Sequence, residues 1–373
     1  MRSNLATASL QSKVLPTLSV IVAGTGNVGA EFLRLFQRQQ QRLANQLHLD
    51  LAGVFNSRQA LLAPALDCND WQGALASGEN YQQAELLAYL ASLPSPKVLV
   101  DITPSQTFAR QYPAFIAAGC HLISANKQGV TLPGEEYQAI LAALKPQQLN
   151  WLSNTTVGAG IPVQRVLQEL LQSGDQIRRI SGVFSGTLSW LLCSYDGSKP
   201  FSEFVLEAQA LGYTEPDPRD DLSGKDVQRK LLVLARELKL PLELTDIELM
   251  PLLPAGAERG SWQDFWAKRA DLDAWLLAKY QQAVAEGKVL RYAACLSLQP
   301  ECVKASVQLV AVASHDPLAA LAPCDNMFVI ESDWYQQNPL VLKGPGAGRA
   351  VTAGGLHADL AVLAQNVILS SQR

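Results

Sequence analysis

The sequence predicts an α/β chain: a doubly wound parallel sheet followed by a second α+β unit with a sheet of its own. Three observations carry that prediction. At 373 residues the chain exceeds one ordinary core, so two domains are expected. Between residues 18 and 152, short apolar runs alternate with longer amphipathic stretches, which is the rhythm of parallel strands and their covering helices. Beyond Ile161 the rhythm changes: helical patterns cluster, and two stretches alternate apolar with polar residues as antiparallel strands do.

The elements follow in order. Residues 18–23 form a strand buried on both faces, because the run lacks polar alternation. Further strands are expected over 47–55, 98–102 and 121–124, with a helix starting near Asn27 and others over 106–118 and 135–144. In the second half, helices are expected over 161–171, 201–211 and 225–238, and in a stretch holding Trp262, Trp266 and Trp275. Strands are expected over 177–184, 290–298 and 303–312, and the tail over 353–369 is helical. No internal repeat or low-complexity linker separates the two halves.

Composition removes several classes of function. Apolar residues make up 48% and charged residues 17%, the balance of a compact globular protein. The formal net charge is −4 and no basic stripe is interleaved with aromatics, so nucleic acid is not an expected partner. Residues 1–15 lack a continuous apolar core for a secretory signal, and no run of about 18 apolar residues occurs. The membrane is therefore not an expected partner and the cytoplasm is the expected address. Cys68, Cys120, Cys193, Cys295, Cys302 and Cys324 form no CxxC pair and read as reduced thiols. His48, His121, His315 and His357 fall in unrelated places and are assigned no chemistry.

Two motifs carry chemistry. The first is GTGNVG at residues 24–29, directly after the first strand and at the start of a helix. Gly24 permits the tight turn, Gly26 lets backbone approach a pyrophosphate, and Gly29 allows close helix packing. The helix N-terminus at Asn27 and Val28 supplies unpaired N–H donors and partial positive charge. A plain structural turn can share this pattern, but strand, turn and helix together predict a dinucleotide site of the Rossmann type. The end of the second strand then bears on which dinucleotide binds. An NAD site wants an acid there, whereas this chain offers Asn56, Ser57 and Arg58. Arg58 could face a 2′-phosphate, so NADP is expected with NAD as the alternative. As a solvated loop residue Arg58 would say nothing.

The second motif is acidic. Glu215, Asp217, Asp220, Asp221 and Asp226 fall within twelve residues, stiffened by Pro216 and Pro218. A helix beginning near Gly224 places Asp226 and Lys230 four apart on one face. Such a cluster suits a small substrate bearing an ammonium group. Hydride delivery to a carbonyl leaves an oxyanion that a lysine ammonium can protonate. Acids near a helix N-terminus plus an ordinary i,i+4 pair would account for part of this cluster without any function.

Taken together, these residues resemble the homoserine dehydrogenase family. Ala208, Gly212, Pro218, Asp221, Gly224, Asp226 and Lys230 stand at the spacings of its signature. DITPS (101–105), SANK (124–127), NTTVGAGIP (154–162), FSGTLSW (184–190) and KGPGAGRAVTA (343–353) resemble further family segments in the same order. The likeness runs from Leu18 to Leu369 and is strongest to the dehydrogenase half of bifunctional aspartokinase–homoserine dehydrogenases. It implies reversible reduction of L-aspartate 4-semialdehyde to L-homoserine, within threonine and methionine biosynthesis. It further implies that Lys230 protonates the aldehyde oxygen, that Asp226 and Asp221 position substrate and lysine, and that Glu215 binds substrate. Lys127 would lie between nicotinamide and substrate, with Thr103 and Gly348 touching the cofactor.

The same likeness implies a Rossmann domain over 18–153 and a mixed-sheet substrate and dimerisation domain over 154–340. Residues 341–373 would return to the first domain, residues 1–17 form an N-terminal extension, and the chain is expected to be a homodimer. Some family members hold a monovalent cation at the turn formed here by Asn154, Val157, Ala159 and Ile161. Asn154 is neutral, so a sodium site and a plain glycine turn are both left open. Seventeen residues before Leu18 are too few for a kinase, so a stand-alone enzyme or an excised half is expected. Turnover of another small amino aldehyde or keto acid, and a non-catalytic nucleotide-binding or regulatory protein, are the competing functions. The joint presence of Lys127, Glu215, Asp226 and Lys230 speaks against the second.

Overall fold

The computed structural model describes residues 15–254, 257, 259–299 and 302–371; of the expected N-terminal extension, residues 1–14 lie outside the described residues. The described residues build two sheets. The first comprises β1 (Thr17–Ala23), β2 (His48–Phe55), β3 (Gln59–Leu62), β4 (Glu79–Asn80), β5 (Lys97–Asp101), β6 (Cys120–Ser124) and β7 (Trp151–Leu152) in the order β4-β3-β2-β1-β5-β6-β7. Strands β2, β1, β5, β6 and β7 run parallel, while β3 and β4 add an antiparallel edge. Leu18, Val20, Ile21, Val22 and Ala23 are fully buried, as a central strand covered on both faces must be. The chain leaves β1 toward β2 on one side and later returns as β5 on the other. A cleft therefore opens at the C-terminal ends of β1 and β5, the topological switch point.

The second sheet holds β8 (Ile177–Val183), β9 (Glu248–Leu249), β10 (Lys288–Gln299), β11 (Cys302–Ala313), β12 (Asp325–Ser332) and β13 (Leu340–Pro345) in the order β13-β12-β8-β10-β11-β9. Its pairs are antiparallel except β11 with β9, so the sheet is mixed.

Helices position the site. α1 (Asn27–Leu43) follows the glycine turn, and α2 (Lys127–Val130) follows β6. α3 (Val163–Gln172) starts after Pro162, and α4 (Gly186–Ser194) is capped by Ser185, whose hydroxyl accepts from the Leu188 N–H. α5 (Pro218–Leu222) and α6 (Lys225–Glu237) carry the acidic motif. α7 (Arg269–Ala285) covers the second sheet, and α8 (Arg349–Ser370) closes the chain. α8 lies back on the first sheet: Leu356, Leu360 and Leu363 join the core of β1 and α1, and His357 stacks on Phe32 at 4.1 Å. Burial pushes the His357 imidazole down to about 4, so it is a neutral packing residue.

Most expected elements occur within a residue or two of their predicted ends. Two do not. The helix expected over 106–118 is two short helices, Gln106–Ala109 and Tyr112–Ala117, because Pro113 lacks an N–H and sits in the first turn of the second. The proline-stiffened stretch before Gly224, where no helix is expected to begin, contains the single turn α5, with Pro218 at its first position, where proline's fixed φ suits a helix start.

Candidate active site

The two sheets meet over a cavity of about 1130 Å³. Its floor is the end of β1 and β5, its far wall is α5 and α6, and its rim is the loop before α8. Of the residues singled out in the sequence, Asn27, Val28, Thr103, Lys127, Ala159, Glu215, Asp221, Asp226, Lys230 and Gly348 line it.

The glycine turn explains itself locally at two positions and not at the third. Gly24 has φ +97°, and a Cβ there would sit 2.9 Å from the Ile102 carbonyl at the end of β5. A Cβ on Gly29 would overlap the Gly24 carbonyl oxygen, so the helix packs on the turn itself. Gly26 has φ −68°, and a Cβ there would meet nothing within 4 Å. The chain's own packing does not require glycine at 26, and its absent side chain leaves room at the N-terminus of α1. That is a cradle fit for a pyrophosphate. Asn56, Ser57 and Arg58 stand apart from the cavity lining, at the turn from β2 to β3. Asn56 Oδ1 accepts from the Arg58 and Gln59 N–H groups at 2.8 and 2.9 Å, which holds the turn and leaves the Arg58 side chain exposed.

On the cavity wall stands a lysine–aspartate–lysine array. Lys127 Nζ lies 2.7 Å from Asp226 Oδ1, and Lys230 Nζ lies 2.9 Å from Asp226 Oδ2. Lys230 also donates to the Phe184 carbonyl at 2.7 Å. That carbonyl is free because Phe184 falls in the gap between β8 and α4. Burial alone would raise the Asp226 carboxyl, but Lys230 and Lys127 outweigh it and hold the group well below the usual carboxylate range. The Lys230 side chain is only 12% exposed, so its ammonium has few water partners to compete with a substrate oxygen.

The acids divide by role. Asp221 Oδ2 accepts from the Glu215 N–H at 2.8 Å, and burial pushes the Asp221 carboxyl up, with the charges of Glu215 and Asp226 acting the same way. Asp220 lines the cavity beside it. Asp217 is spent on structure: it caps α5 and grips Arg219 through both oxygens. Sequence reasoning gave no role to Asp101. It is 1% exposed and accepts from Tyr112 Oη at 2.7 Å, Asn126 Nδ2 at 2.9 Å and the Thr103 N–H at 2.8 Å. Burial raises it, and those three donors act against the rise. Asp101 thereby fixes Thr103 and Asn126, and Asn126 caps the helix that begins at Lys127. An acid closing an otherwise apolar strand was the available signal.

The turn at 154–161 frames the cavity from behind. Gly158 and Ala159 have φ +72° and +52°, which directs the backbone sharply around. Asn154 is buried, its N–H donates to Asp359 Oδ2 at 3.2 Å, and its Oδ1 accepts from the Arg165 N–H at 3.4 Å. Asp359 Oδ1 pairs with Arg165 Nη2 at 3.1 Å. The Ile161 carbonyl accepts from the Val163 N–H at 2.8 Å. Gly348, with φ +130°, begins α8 at the rim.

Known proteins place this architecture. Residues 24–154 match the family model of the homoserine dehydrogenase NAD binding domain, and residues 162–361 match that of homoserine dehydrogenase. The chain is 44% identical over 355 residues to bifunctional aspartokinase/homoserine dehydrogenase 2 of Escherichia coli, covering 93% of this chain and 43% of that one. It thus spans less than half the length of that relative. It is 36% identical to the homoserine dehydrogenase of Paracoccidioides brasiliensis, covering 92% of this chain and 97% of that one. The fold matches a hyperthermophilic archaeal homoserine dehydrogenase in complex with NADPH at a TM-score of 0.71 and 21% identity, over 92% of this chain and 97% of that one. A family-model match over more than half of its residues, and a relative aligned over nearly its whole length, establish that the chain belongs to the homoserine dehydrogenase family.

Proposed function

We propose that the chain reduces L-aspartate 4-semialdehyde to L-homoserine reversibly, in threonine and methionine biosynthesis in the cytoplasm. The observation that carries this reading is the Lys127–Asp226–Lys230 array facing the glycine turn across one cavity. NADPH is the proposed cofactor, with NADH as the alternative. Gly24, Gly26, Asn27, Val28, Gly29, Thr103, Lys127 and Gly348 would hold it, with Asn56, Ser57 and Arg58 toward its adenosine end. When bound, the nicotinamide supplies the hydride.

The chain's own residues do the rest. Glu215 and Asp221 present carboxyl groups for the substrate ammonium. Lys230, held by Asp226 and the Phe184 carbonyl, gives a proton to the aldehyde oxygen as it becomes an alcohol, and recovers one from water in the open cavity. Lys127, held on the other oxygen of Asp226, keeps a second positive charge beside the reacting group. Residues 18–153 serve as cofactor domain, 154–340 as substrate and dimerisation domain, and 341–373 as the closing segment.

A homodimer is part of the proposal. One face of the second sheet packs Ile180, Tyr292 and Phe328 against its helices. The other face carries Arg179, Ser181, Cys295 and Val310 around a shallow hollow of about 280 Å³, which a second copy could cover. A sodium ion on Asn154, Val157, Ala159 and Ile161 is also proposed: the donors are all neutral oxygens, which suit a singly charged ion. Two of them already accept a backbone N–H. No step depends on that ion.

The test is oxidation of NADPH and of NADH by the purified chain with L-aspartate 4-semialdehyde, for wild type and Arg58→Ala. Turnover with NADPH supports the reading, and no turnover with either dinucleotide overturns it. If Arg58 faces a 2′-phosphate, Arg58→Ala lowers the NADPH-to-NADH preference by roughly ten-fold, the worth of about 1.4 kcal/mol. An unchanged ratio removes Arg58 from the site. Sodium titration and light scattering check the ion and the dimer.

A further inference from the structure

Of the buried cations that the reaction as described leaves unused, Lys97, Arg236 and Arg291 among the described residues, Arg236 shares its helix with Asp226 and Lys230. Arg236 lies ten residues beyond Asp226 on α6, about 15 Å along the helix axis, with only 3% of its side chain exposed. Its Nη1 donates to the carbonyls of Val130 and Leu132 at 2.5 and 2.7 Å, and its Nη2 lies 3.1 Å from Glu243 Oε2. The guanidinium stacks over the Tyr137 ring, 4.6 Å from its centre. Removing a guanidinium from water is costly, and an apolar side chain of that size would fill the space at less cost. What the arginine adds is direction.

The two carbonyls it grips follow directly from Lys127. Val130 is the last residue of α2 and Lys127 is the first. Carbonyls at a helix C-terminus have no partner within the helix. Arg236 supplies one to Val130 and reaches Leu132 just beyond. Its other partner, Glu243, sits so close over Gly134 that a Cβ there would overlap the carboxylate, which ties the next helix (Gly134–Gln147) to the same point. α6 thus holds the Lys127 segment at two places: Asp226 takes the ammonium at the front, and Arg236 takes the backbone at the rear. One ion pair alone would set a distance and leave α2 free to pivot about it.

We propose that Arg236 is a positioning residue that aims Lys127 into the cavity by fixing α2 of the cofactor side to α6 of the substrate side. This rests on the reading of Lys127, Asp226 and Lys230 given above. Arg236 touches neither substrate nor cofactor, and its effect reaches the reacting atoms through Lys127 alone.

The experiment compares the whole wild-type chain with Arg236→Gln, Arg236→Lys, Glu243→Gln and the core control Leu276→Ala. Leu276 is fully buried on α7 against the second sheet and stands outside the reaction machinery. Four quantities are read: Tm, hydrogen exchange of residues 127–132, kcat and KM for each substrate, and the isotope effect with a dinucleotide deuterated at the transferred hydride. The expected result for Arg236→Gln is faster exchange over 127–132, a kcat lower by roughly 10- to 100-fold, and a larger isotope effect. Its KM for the dinucleotide stays within about two-fold. Arg236→Lys recovers part of the kcat, and Glu243→Gln, which removes only the outer partner, loses a few-fold. Leu276→Ala lowers Tm comparably and keeps kcat.

The proposal is overturned by wild-type kcat in Arg236→Gln, or by a kcat loss that Leu276→Ala matches at equal loss of Tm. Should Arg236→Gln fail to fold, Arg236→Lys and Glu243→Gln carry the same comparison. If the wild type does not turn over L-aspartate 4-semialdehyde, it is the proposed function that fails. The exchange of 127–132 still decides the strut, since wild-type exchange in Arg236→Lys and Glu243→Gln overturns it.

Discussion

Two carboxylates stand at the junction of the sheets, and their acidities move in opposite directions. Asp226, on the cavity wall, is held well below the ordinary range, whereas Asp359, behind it on α8, is pushed up to about 6. Burial raises both. Asp226 overcomes it with two ammonium groups, at 2.7 and 2.9 Å. Asp359 has one guanidinium nitrogen at 3.1 Å and one backbone N–H at 3.2 Å, which do not suffice. Exposure follows the same division, 44% for the Asp226 side chain and 2% for that of Asp359. The front of the junction keeps its charge and spends it on aiming two lysines. The back holds a carboxylate whose charge burial disfavours, and it ties α8 to the 154–161 turn and to α3.

The largest effect should come from the front. Replacing Lys230 with Met removes the proposed proton source while keeping the stem, and kcat is expected to fall about 10²- to 10⁴-fold with Tm little changed. A kcat within a few-fold of wild type would move the acid elsewhere and dissolve the contrast between the two sides. Asp226→Asn comes next. It deprives both lysines of their shared counter-charge, and a loss of about 10²-fold in kcat/KM is expected from their misplacement. Because the folded Asp226 is the stronger acid, its contribution to stability is present above about pH 4 and fades as the pH falls below the ordinary carboxylate range. Acid unfolding of Asp226→Asn should accordingly be shallower than that of the wild type.

Asp359 carries the opposite sign. Raised from the ordinary 3.8 to about 6, it binds its proton more tightly folded than unfolded. Stability is therefore lost as the pH rises from about 4 to about 6, by roughly 3 kcal/mol. Asp359→Asn lacks this term, so relative to the wild type it should gain that amount between pH 4 and 7, with kcat kept within a few-fold. Urea unfolding of both proteins at the two pH values measures it. A difference independent of pH would mean that burial does not raise Asp359 and that the back of the junction holds its charge as readily as the front.

The front of the junction was legible in the sequence because its chemistry is local. Asp226 and Lys230 are four apart on one helix, and GTGNVG follows its strand directly. The back was not. Arg165 and Asp359 are 194 residues apart, and Arg236 reaches Val130 across 106, so no window of sequence shows either pairing. Strands β12 and β13 escaped for a related reason. Only after pairing with β8 does Phe328 find the inner face, and β13 ends in the Gly344–Pro345 pair that reads as a turn. The parallel centre, by contrast, was readable from apolar runs such as β1, because burial on both faces leaves an unbroken signature. Arg58 was visible as a basic residue, yet the Asx turn made by Asn56 beneath it depends on the pairing of β2 with β3.

The division between front and back repeats on a smaller scale inside the glycine turn, where the smallest effect on stability is expected. Gly29 serves the chain's own packing: a Cβ there overlaps the Gly24 carbonyl, so Gly29→Ala must displace α1 and should cost about 1–3 kcal/mol. Gly26 does not: its φ of −68° is open to any residue and its Cβ would meet nothing, so in Gly26→Ala the loss of a favourable N-cap glycine and the gain from a stiffer unfolded chain oppose each other and stability should change by less than about 1 kcal/mol. Dinucleotide binding should show the reverse order of concern, since the methyl of Gly26→Ala stands where the pyrophosphate is proposed to approach α1. Calorimetric titration with NADPH, set beside the Tm of each variant, separates the two. If Gly26→Ala binds NADPH as the wild type does, the space at that glycine is not the phosphate cradle, and the front of the first sheet must hold the dinucleotide by the rim at Gly348 and the end of β5 instead.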